Sequence, residues 1–224
     1  QIQQFSEGIT RFLLAQDAKL IVVACNTASA AALKHLREKF PEVPFVGMEP
    51  AVKPAAEQTH TGVVGVLATP ATFQGALYAS VVERFASGVQ VLQHTCPGLV
   101  RQVEQGDLNG PRTRAILEEA LQPMMEQHID TVVMGCTHYP FVIPLIEQIV
   151  GADVRVIDPA PAVARQVRRL LEAGGLKRPE GGTGSMCFYT SGDAETVQGL
   201  LPVLLGETGD VQAVHWKSDL EIEM

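Results

Sequence analysis

Two cysteines with similar surroundings are the residues of this sequence whose types and spacing point to chemistry. Cys25 follows an aliphatic run and is followed by Asn26 and Thr27. Cys136 also ends an apolar run, and a threonine and a histidine follow it. Apolar runs of this length predict buried parallel strands, and ligands of open α/β sheets bind at the carboxyl ends of such strands. The repeated pattern therefore predicts two half-sites that face one pocket.

The predicted position of these thiols favours proton transfer. A strand-to-helix turn presents unpaired backbone N–H groups and the positive end of a helix dipole, which lowers the pKa of a cysteine from about 8.5. The same N–H groups can hold a carboxylate together with the side chains of Asn26, Thr27 and Thr137. His138 lies near enough to Cys136 in the sequence to share a proton with it. A thiol on each side of one carbon would remove a proton from one face and return one to the other, inverting the configuration.

Composition and charge limit the class of protein. The 224 residues include 46% hydrophobic and 19% charged residues, which is ordinary for a globular protein. The net charge of −8 argues against nucleic acid or an anionic membrane surface as a partner. No apolar run approaches the roughly 20 residues of a membrane span, and no signal peptide opens the chain, so we expect a cytoplasmic protein. The four cysteines are widely spaced, which favours free thiols over disulfides.

Strand signals alternate with helical periodicity along the chain, which predicts an α/β fold with helices on mostly parallel sheets. The predicted strands span residues 20–24, 45–48, 61–68, 89–93, 131–135, 154–157, 186–190 and 211–216. The predicted helices span residues 1–15, 52–58, 112–127, 144–150 and 195–205, with others after Cys25, after Thr69 and between Pro159 and Gly174. Thr69 and Pro70 have the types expected of an N-cap and a first helical residue. Residues 174–184 predict a glycine-rich connection rather than a phosphate-binding loop.

The first predicted helix has an apolar face at helical spacing. Its members are Ile2, Phe5, Ile9, Phe12 and Leu13. We expect this face to be the buried one. The other two cysteines, Cys96 and Cys187, are expected to be small buried apolar residues.

Several segments together resemble the glutamate racemases. Residues 24–30 and 135–140 are similar to the two cysteine motifs of that family. Residues 65–72 resemble its threonine turn, residues 96–104 its C-P…V-E segment, and residues 189–193 its late strand and turn. The histidine that follows the second Cys-Thr pair points to glutamate rather than to the related aspartate racemases, which resemble C-T-E there.

The resemblance implies a fold, an activity and a cellular role. The family fold has two pseudo-symmetric α/β domains with mostly parallel sheets flanked by helices and the active site between the domains. This implies residues 1–48 plus 159–224 as a first domain, incomplete at its N-terminus, and residues 49–158 as the second. The implied activity is cofactor-independent interconversion of L- and D-glutamate, without a metal, which supplies D-glutamate for peptidoglycan and so serves the cell wall and cell shape. The resemblance further implies a homodimer.

Carried over position by position, the resemblance assigns roles to individual residues. Cys25 and Cys136 match the two acid/base cysteines. Glu104 and His138 match residues that assist the thiols. The positions that match substrate-binding residues are Asn26, Thr27, Thr69, Thr137 and His138. For the asparagine and the threonines, helix capping is a second interpretation, which is compatible with binding.

One segment of the family pattern is not found in this sequence. The family begins with a strand ending in D-S-G-x-G-G, whose aspartate and serine contact substrate, followed by a tyrosine-glycine turn. Neither occurs in these 224 residues. A polypeptide that begins at Gln1 is therefore expected to lack one wall of the substrate site, to pack poorly and to be weakly active or inactive.

Other functions remain open from the residues alone. A relative that acts on aspartate or hydantoins would use the same thiols. A non-catalytic amino-acid-binding protein, or a hydrolase using Cys136 and His138, would need only part of the site. Zinc bound by Cys25, Cys136 and His138 would lack a fourth ligand at standard spacing. Solvent deuterium at Cα of recovered glutamate would separate a racemase from simple binding.

Overall fold

The computed structural model describes residues 1–178 and 184–224, and its helices and strands alternate along the chain. The helices are α1 (Ile2–Ala15), α2 (Asn26–Lys39), α3 (Val52–Gln58), α4 (Pro70–Phe73), α5 (Ala76–Phe85), α6 (Leu99–Glu104), α7 (Pro111–Met125), α8 (Ile143–Val150), α9 (Ala160–Ala173) and α10 (Ala194–Leu205). The strands are β1 (Ile21–Val22), β2 (Phe45–Val46), β3 (Val63–Ala68), β4 (Gln90–His94), β5 (Thr131–Gly135), β6 (Arg155–Ile157), β7 (Phe188–Thr190), β8 (Val211–Ala213), β9 (His215–Ser218) and β10 (Glu221–Glu223). A 3-10 helix at Tyr139–Val142 precedes α8. The predicted α/β class is confirmed, whereas the predicted connection at 174–184 lies partly outside the described residues.

The described chain forms two compact units. The first consists of residues 1–23, 31–46 and the described part of 164–224, and the second of residues 24–30 and 47–163. The first turn of α2 therefore belongs to the second unit, although the rest of that helix belongs to the first. Among the helices described in residues 1–178 and 184–224, none combines the length and the apolar character of a membrane span.

A four-stranded parallel sheet in the order β4-β3-β5-β6 forms the centre of the second unit. All five residues of β5 are buried. A central parallel strand is covered on both faces by helices, which is why its sequence is apolar throughout. The helix α7 contributes its predicted apolar positions to the core. The buried residues of α7 are Thr113, Ile116, Leu117, Ala120, Leu121 and Met124.

Asp130 fixes the start of β5. Its carboxylate accepts hydrogen bonds from the Thr59 hydroxyl at 2.7 Å and from the N–H groups of His60 and Thr61. Burial alone would raise the pKa of Asp130, but these hydrogen bonds lower it to about 2. The loop between α3 and β3 is thereby tied to the strand that leads to Cys136.

The first unit contains three pairs of strands. β1 pairs with β2 and β7 with β8 in parallel, and β9 pairs with β10 in an antiparallel hairpin. The prediction of one strand over residues 211–216 was wrong, because buried Val214 separates β8 from β9 and the two pair with different partners. The expected buried strand over residues 20–24 is also shorter than predicted. Only two residues of β1 pair, and Val22 is 38% exposed.

The predicted buried face of α1 was wrong in part. Ile2 and Ile9 are 42% and 44% exposed, and the buried residues of the helix include Gly8. Gly8 lies against the Trp216 ring, because a Cβ atom there would come within 2.7 Å of the ring carbon Cζ3. Phe5 also contacts Trp216, with ring centroids 5.1 Å apart. Contacts with distant segments, among them Trp216 and the α2 residues that pair with buried Glu7, therefore decide which side of the helix is buried.

Glu7 is a buried carboxylate that joins α1 to α2. It pairs with Arg11 at 2.7 Å, with His35 at 3.0 Å and with Lys39 at 3.7 Å. The hydrogen bond from Arg11 lowers the pKa of Glu7 below its ordinary value, against the effect of burial. A buried carboxylate is tolerated when it is paired in this way.

The two cysteines outside the motifs differ. Cys96 is buried, as predicted. Cys187 is exposed, which contradicts the prediction. The cause is that β7 begins only at Phe188, so that Cys187 precedes the paired part of the strand.

Candidate active site

A cavity of about 280 Å³ in the second unit brings most of the predicted site residues together. The residues that line it are Ala24, Cys25, Asn26, Thr27, Thr69, Thr72, Val100, Gly135, Cys136, Thr137 and His138. All of them belong to the second unit. Among the predicted site residues, Glu104 does not line the cavity and contacts it through His138.

Cys25 lies at the N-terminus of α2. Its Sγ accepts a hydrogen bond from the N–H of Ala28 at 3.4 Å, and its carbonyl accepts one from the N–H of Ser29 at 2.8 Å. Cys25 itself is exposed. The thiol thus faces the N–H groups that a helix leaves unpaired at its start, as the sequence predicts.

Cys136 lies in a different environment at the end of β5. It is 8% exposed. Gly135 allows β5 to approach β3 closely here, because a Cβ atom at this position would lie 2.8 Å from the Cβ of Ala68. The expectation of a lowered pKa was wrong for Cys136. Burial raises the pKa of this thiol, the N–H groups of His138 and Tyr139 oppose the rise, and the charges of Cys25 and Glu104 add to it.

His138 connects Cys136 to a carboxylate. Its Nδ1 is 3.9 Å from the Sγ of Cys136, and its Nε2 is 3.1 Å from Oε1 of Glu104. A carboxylate can only accept a hydrogen bond, so the Nε2 of His138 donates to Glu104, and Nδ1 is left on the side of Cys136. The imidazole is thereby oriented to exchange a proton on the Cys136 side.

Three threonine hydroxyls form a triangle on the wall of the cavity. The Oγ1 of Thr27 is 3.0 Å from that of Thr69 and 3.2 Å from that of Thr72, and the latter two are 3.0 Å apart. Thr69 also caps α4 by accepting from the N–H of Thr72, as predicted. The triangle connects the first turn of α2 to the start of α4. Hydroxyls can donate or accept, so the triangle can adapt to a polar ligand.

Asn26 lines the cavity, and its buried amide group has no hydrogen-bonding partner in the described residues. The residue is 3% exposed, and its Oδ1 and Nδ2 find no hydrogen-bonding partner within the described part of the chain. An unpaired buried amide is destabilising by about 1–3 kcal/mol, and such groups in native proteins call for a specific explanation. A polar ligand in the cavity would supply the missing partners.

Four residues of the cavity wall were not among the predicted site residues: Ala24 and Gly135, which immediately precede the two cysteines, and Thr72 and Val100. Thr72 could have been predicted, because the residue three positions after an N-cap interacts with the capping side chain. Val100 could not, since a single valine in an amphipathic segment looks like any core residue. Within residues 1–178 and 184–224, no group of three or more His, Cys, Asp and Glu side chains is arranged to hold a metal ion.

The arrangement can move protons at a carbon atom. Two thiols, one exposed at a helix N-terminus and one buried beside an imidazole, border the same cavity. The threonine hydroxyls can supply hydrogen bonds to a polar substrate, and the carboxylate of Glu104 can stabilise a protonated His138. This combination suits acid/base chemistry on a small polar molecule.

Comparison with known proteins agrees with this geometry. The family described as Asp/Glu/Hydantoin racemase matches residues 3–167. Glutamate racemase of Pseudomonas aeruginosa (strain PAO1) is 51% identical over 210 residues, which cover 94% of this chain and 79% of that protein. Glutamate racemase of Roseiflexus (strain RS-1) is 47% identical over 202 residues, covering 90% and 74%.

Solved structures of glutamate racemases also match this chain. A glutamate racemase isoform of Bacillus anthracis matches with a TM-score of 0.81 at 28% identity, over 98% of this chain and 82% of that one. The Escherichia coli glutamate racemase in complex with L-glutamate and the activator UDP-MurNAc-Ala matches with a TM-score of 0.80 at 31% identity, over 95% and 80%. On the sequence match, the fold and the pair of thiols in one cavity, this chain belongs to the Asp/Glu/Hydantoin racemase family.

Proposed function

We propose that this protein is an isomerase that interconverts L- and D-glutamate. The observation that carries the proposal is the pair of thiols, Cys25 and Cys136, in one cavity with the unsatisfied amide of Asn26. The similar curated proteins are named glutamate racemase, and similar solved structures contain L-glutamate or D-glutamate. A small amino acid is therefore the proposed substrate.

In the proposed mechanism one cysteine removes the proton from Cα and the other returns a proton to the opposite face. Burial raises the pKa of Cys136, so that it is a thiol and a proton donor at neutral pH. Cys25, beside the Ala28 N–H, is the complementary base. In the reverse direction the two roles are exchanged. His138, held by Glu104, takes up and returns the proton when Cys136 must act as the base.

The polar wall of the cavity binds and activates the substrate in this proposal. Asn26, Thr27, Thr69 and Thr137 donate hydrogen bonds to the carboxylates of glutamate. Removal of a proton from Cα leaves negative charge that spreads onto the α-carboxylate, so donors aimed at that group lower the barrier. Hydrogen-bond donors that are already in position before the reaction stabilise this charge without having to reorganise.

The wider role is also a proposal. The two thiols perform the reaction without a cofactor or a metal, and the product D-glutamate enters peptidoglycan, so the protein serves cell-wall synthesis in the cytoplasm. It acts as a homodimer and binds neither nucleic acid nor membranes. We propose a first domain of residues 1–48 plus 159–224 and a second of residues 49–158.

The decisive experiment incubates the purified protein with L-glutamate, and separately with D-glutamate, in D₂O without added cofactor. We expect both solutions to approach equal amounts of the enantiomers by circular dichroism, with loss of the Cα proton by NMR. Cys187→Ser is a matched control, because this exposed thiol does not line the cavity. It should retain the activity of the parent protein.

Two results would overturn the proposal. The first is retention of configuration and of the Cα proton, which would indicate binding without catalysis. The second is faster racemisation of aspartate than of glutamate, which would assign the protein to another substrate of the same family. A requirement for added pyridoxal phosphate or metal after dialysis would contradict the cofactor-independent mechanism alone.

A further inference from the structure

The position of the Cys25 thiol depends on the first turn of α2, and one buried hydroxyl anchors that turn. Ser29 is 3% exposed. Its Oγ accepts a hydrogen bond from the N–H of Met48 at 2.9 Å, and its own N–H donates to the carbonyl of Cys25 at 2.8 Å. Ser29 therefore contacts Cys25 through its backbone and a distant segment through its side chain.

The donor of this hydrogen bond lies just beyond the end of β2. The last backbone hydrogen bond that β2 accepts runs from Val23 to the carbonyl of Val46. Met48 follows two residues later, is buried, and donates its N–H to Ser29. The serine hydroxyl thus continues the attachment between the two segments after the strand pairing has ended.

We propose that Ser29 is a positioning residue for the Cys25 half-site, an inference that rests on the proposed racemase function. The Sγ of Cys25 is held by the N–H of Ala28 within the same helical turn, so a shift of the turn moves the thiol. Cys25 is exposed, whereas the buried strand β5 leads directly to Cys136. Proton transfer is sensitive to displacements of about 1 Å, which can slow a reaction about 10²-fold. Loss of the Ser29 hydroxyl should therefore impair one thiol and not the other.

The test measures deuterium in recovered, unconverted substrate, separately for each enantiomer. Deuterium exchange at Cα requires Cys25 for one enantiomer and Cys136 for the other. A Cys25→Ala variant identifies the enantiomer whose exchange depends on Cys25. The ratio of the two exchange rates reports the position of one thiol relative to the other. A change in the amount of folded protein alters both rates equally and leaves the ratio unchanged.

The variants are Ser29→Ala, which removes the acceptor, and Ser29→Thr, which retains a hydroxyl. Thr113→Val is the matched control. Thr113 is also a buried hydroxyl residue of the second unit, but its Oγ1 donates to the Asp107 carbonyl at 2.8 Å and does not line the cavity. We expect Ser29→Ala to lower exchange by Cys25 on the order of tenfold relative to exchange by Cys136. Ser29→Thr and Thr113→Val should keep the ratio of the parent protein.

An unchanged ratio in Ser29→Ala would overturn the inference. If Ser29→Ala does not fold, the isosteric pair Ser29→Thr and Ser29→Val takes its place, because only the threonine keeps a hydroxyl. A ratio lowered in Ser29→Val but not in Ser29→Thr supports the inference, and equal ratios in the two variants overturn it. Absence of exchange in the parent protein would instead overturn the proposed function, and the inference with it. The two failures are therefore distinguishable.

Discussion

The regions around Cys25 and Cys136 have the same sequence pattern but different structural support. β5 lies between β3 and β6, and all of its residues are buried. β1 consists of two residues paired with β2, and one of them is 38% exposed. The thiol that follows β5 is buried, and the thiol near β1 is exposed.

The local sequence pattern and the tertiary environment therefore set separate properties of a thiol. The pattern places each thiol near N–H groups at the start of a helical turn. Burial then raises the pKa of Cys136 despite those groups. For a reaction that needs a base on one side and an acid on the other, unequal thiols are an advantage, because opposite protonation states must coexist.

The largest expected effect comes from removal of either thiol. Cys25→Ala and Cys136→Ala should each lower kcat/KM for racemisation on the order of 10²–10⁴-fold or more, because each deletes one of two proton-transfer groups. Deuterium exchange into recovered substrate should be lost from one enantiomer in the first variant and from the other enantiomer in the second. Equal loss from both enantiomers in both variants would contradict the assignment of one thiol to each face.

The rates of alkylation should separate the two thiols directly. With iodoacetamide near pH 7.5, Cys25 and exposed Cys187 should react at least about tenfold faster than Cys136, because the thiolate is the reactive form and a raised pKa reduces it. Cys96, whose pKa is raised by burial to about 12, should be the slowest. Peptide mass spectrometry over time gives the four rates. Alkylation of Cys136 as fast as that of Cys25 would contradict the predicted difference between the two thiols.

Glu104→Gln should affect the Cys136 side selectively. Loss of the charge beside His138 weakens this hydrogen bond by about 1 kcal/mol, which corresponds to roughly a fivefold lower rate. The lower rate should appear in kcat and in the deuterium exchange of the enantiomer that requires Cys136. Glu118→Gln is the control, because the Glu118 carboxylate pairs with Arg114 at 3.6 Å outside the cavity. Equal effects of the two variants would exclude a role for Glu104 through His138.

Asp130→Asn should change stability and leave the difference between the thiols unaltered. The variant weakens charge-assisted hydrogen bonds at the start of β5, which should lower the free energy of unfolding by about 1–3 kcal/mol at pH 7. The pKa of Asp130 is lowered to about 2, so its stabilisation is complete above the ordinary value of 3.8 and is lost as the pH falls through about 2.

Urea unfolding at pH 7 and at pH 3 measures this effect. The parent protein and Asp130→Asn should differ less at pH 3 than at pH 7, while their exchange ratios at neutral pH agree. A difference that grows as the pH falls would contradict the assigned direction of the pKa shift.

Much of the fold could be predicted because it depends on neighbours in the sequence. The helix over residues 52–58 and the cap at Thr69 were predicted correctly, since both follow from local residue types. The buried side of α1 could not be predicted, because it depends on Trp216 and on residues of α2, which are distant in the chain. The hairpin of β9 and β10 was missed because its strands are too short for periodicity to register.

From the amino-acid sequence alone one can derive the two cysteine motifs, the α/β alternation and the residue types that suit proton transfer on a carboxylate-bearing substrate. The fold was needed to establish that Cys136 is buried with a raised pKa and Cys25 exposed, and that the buried amide of Asn26 has no partner within the described residues. Local motifs specify which groups stand at the end of a strand. Burial and pKa depend on which distant segments pack over those groups, and the sequence of a single motif does not specify those segments.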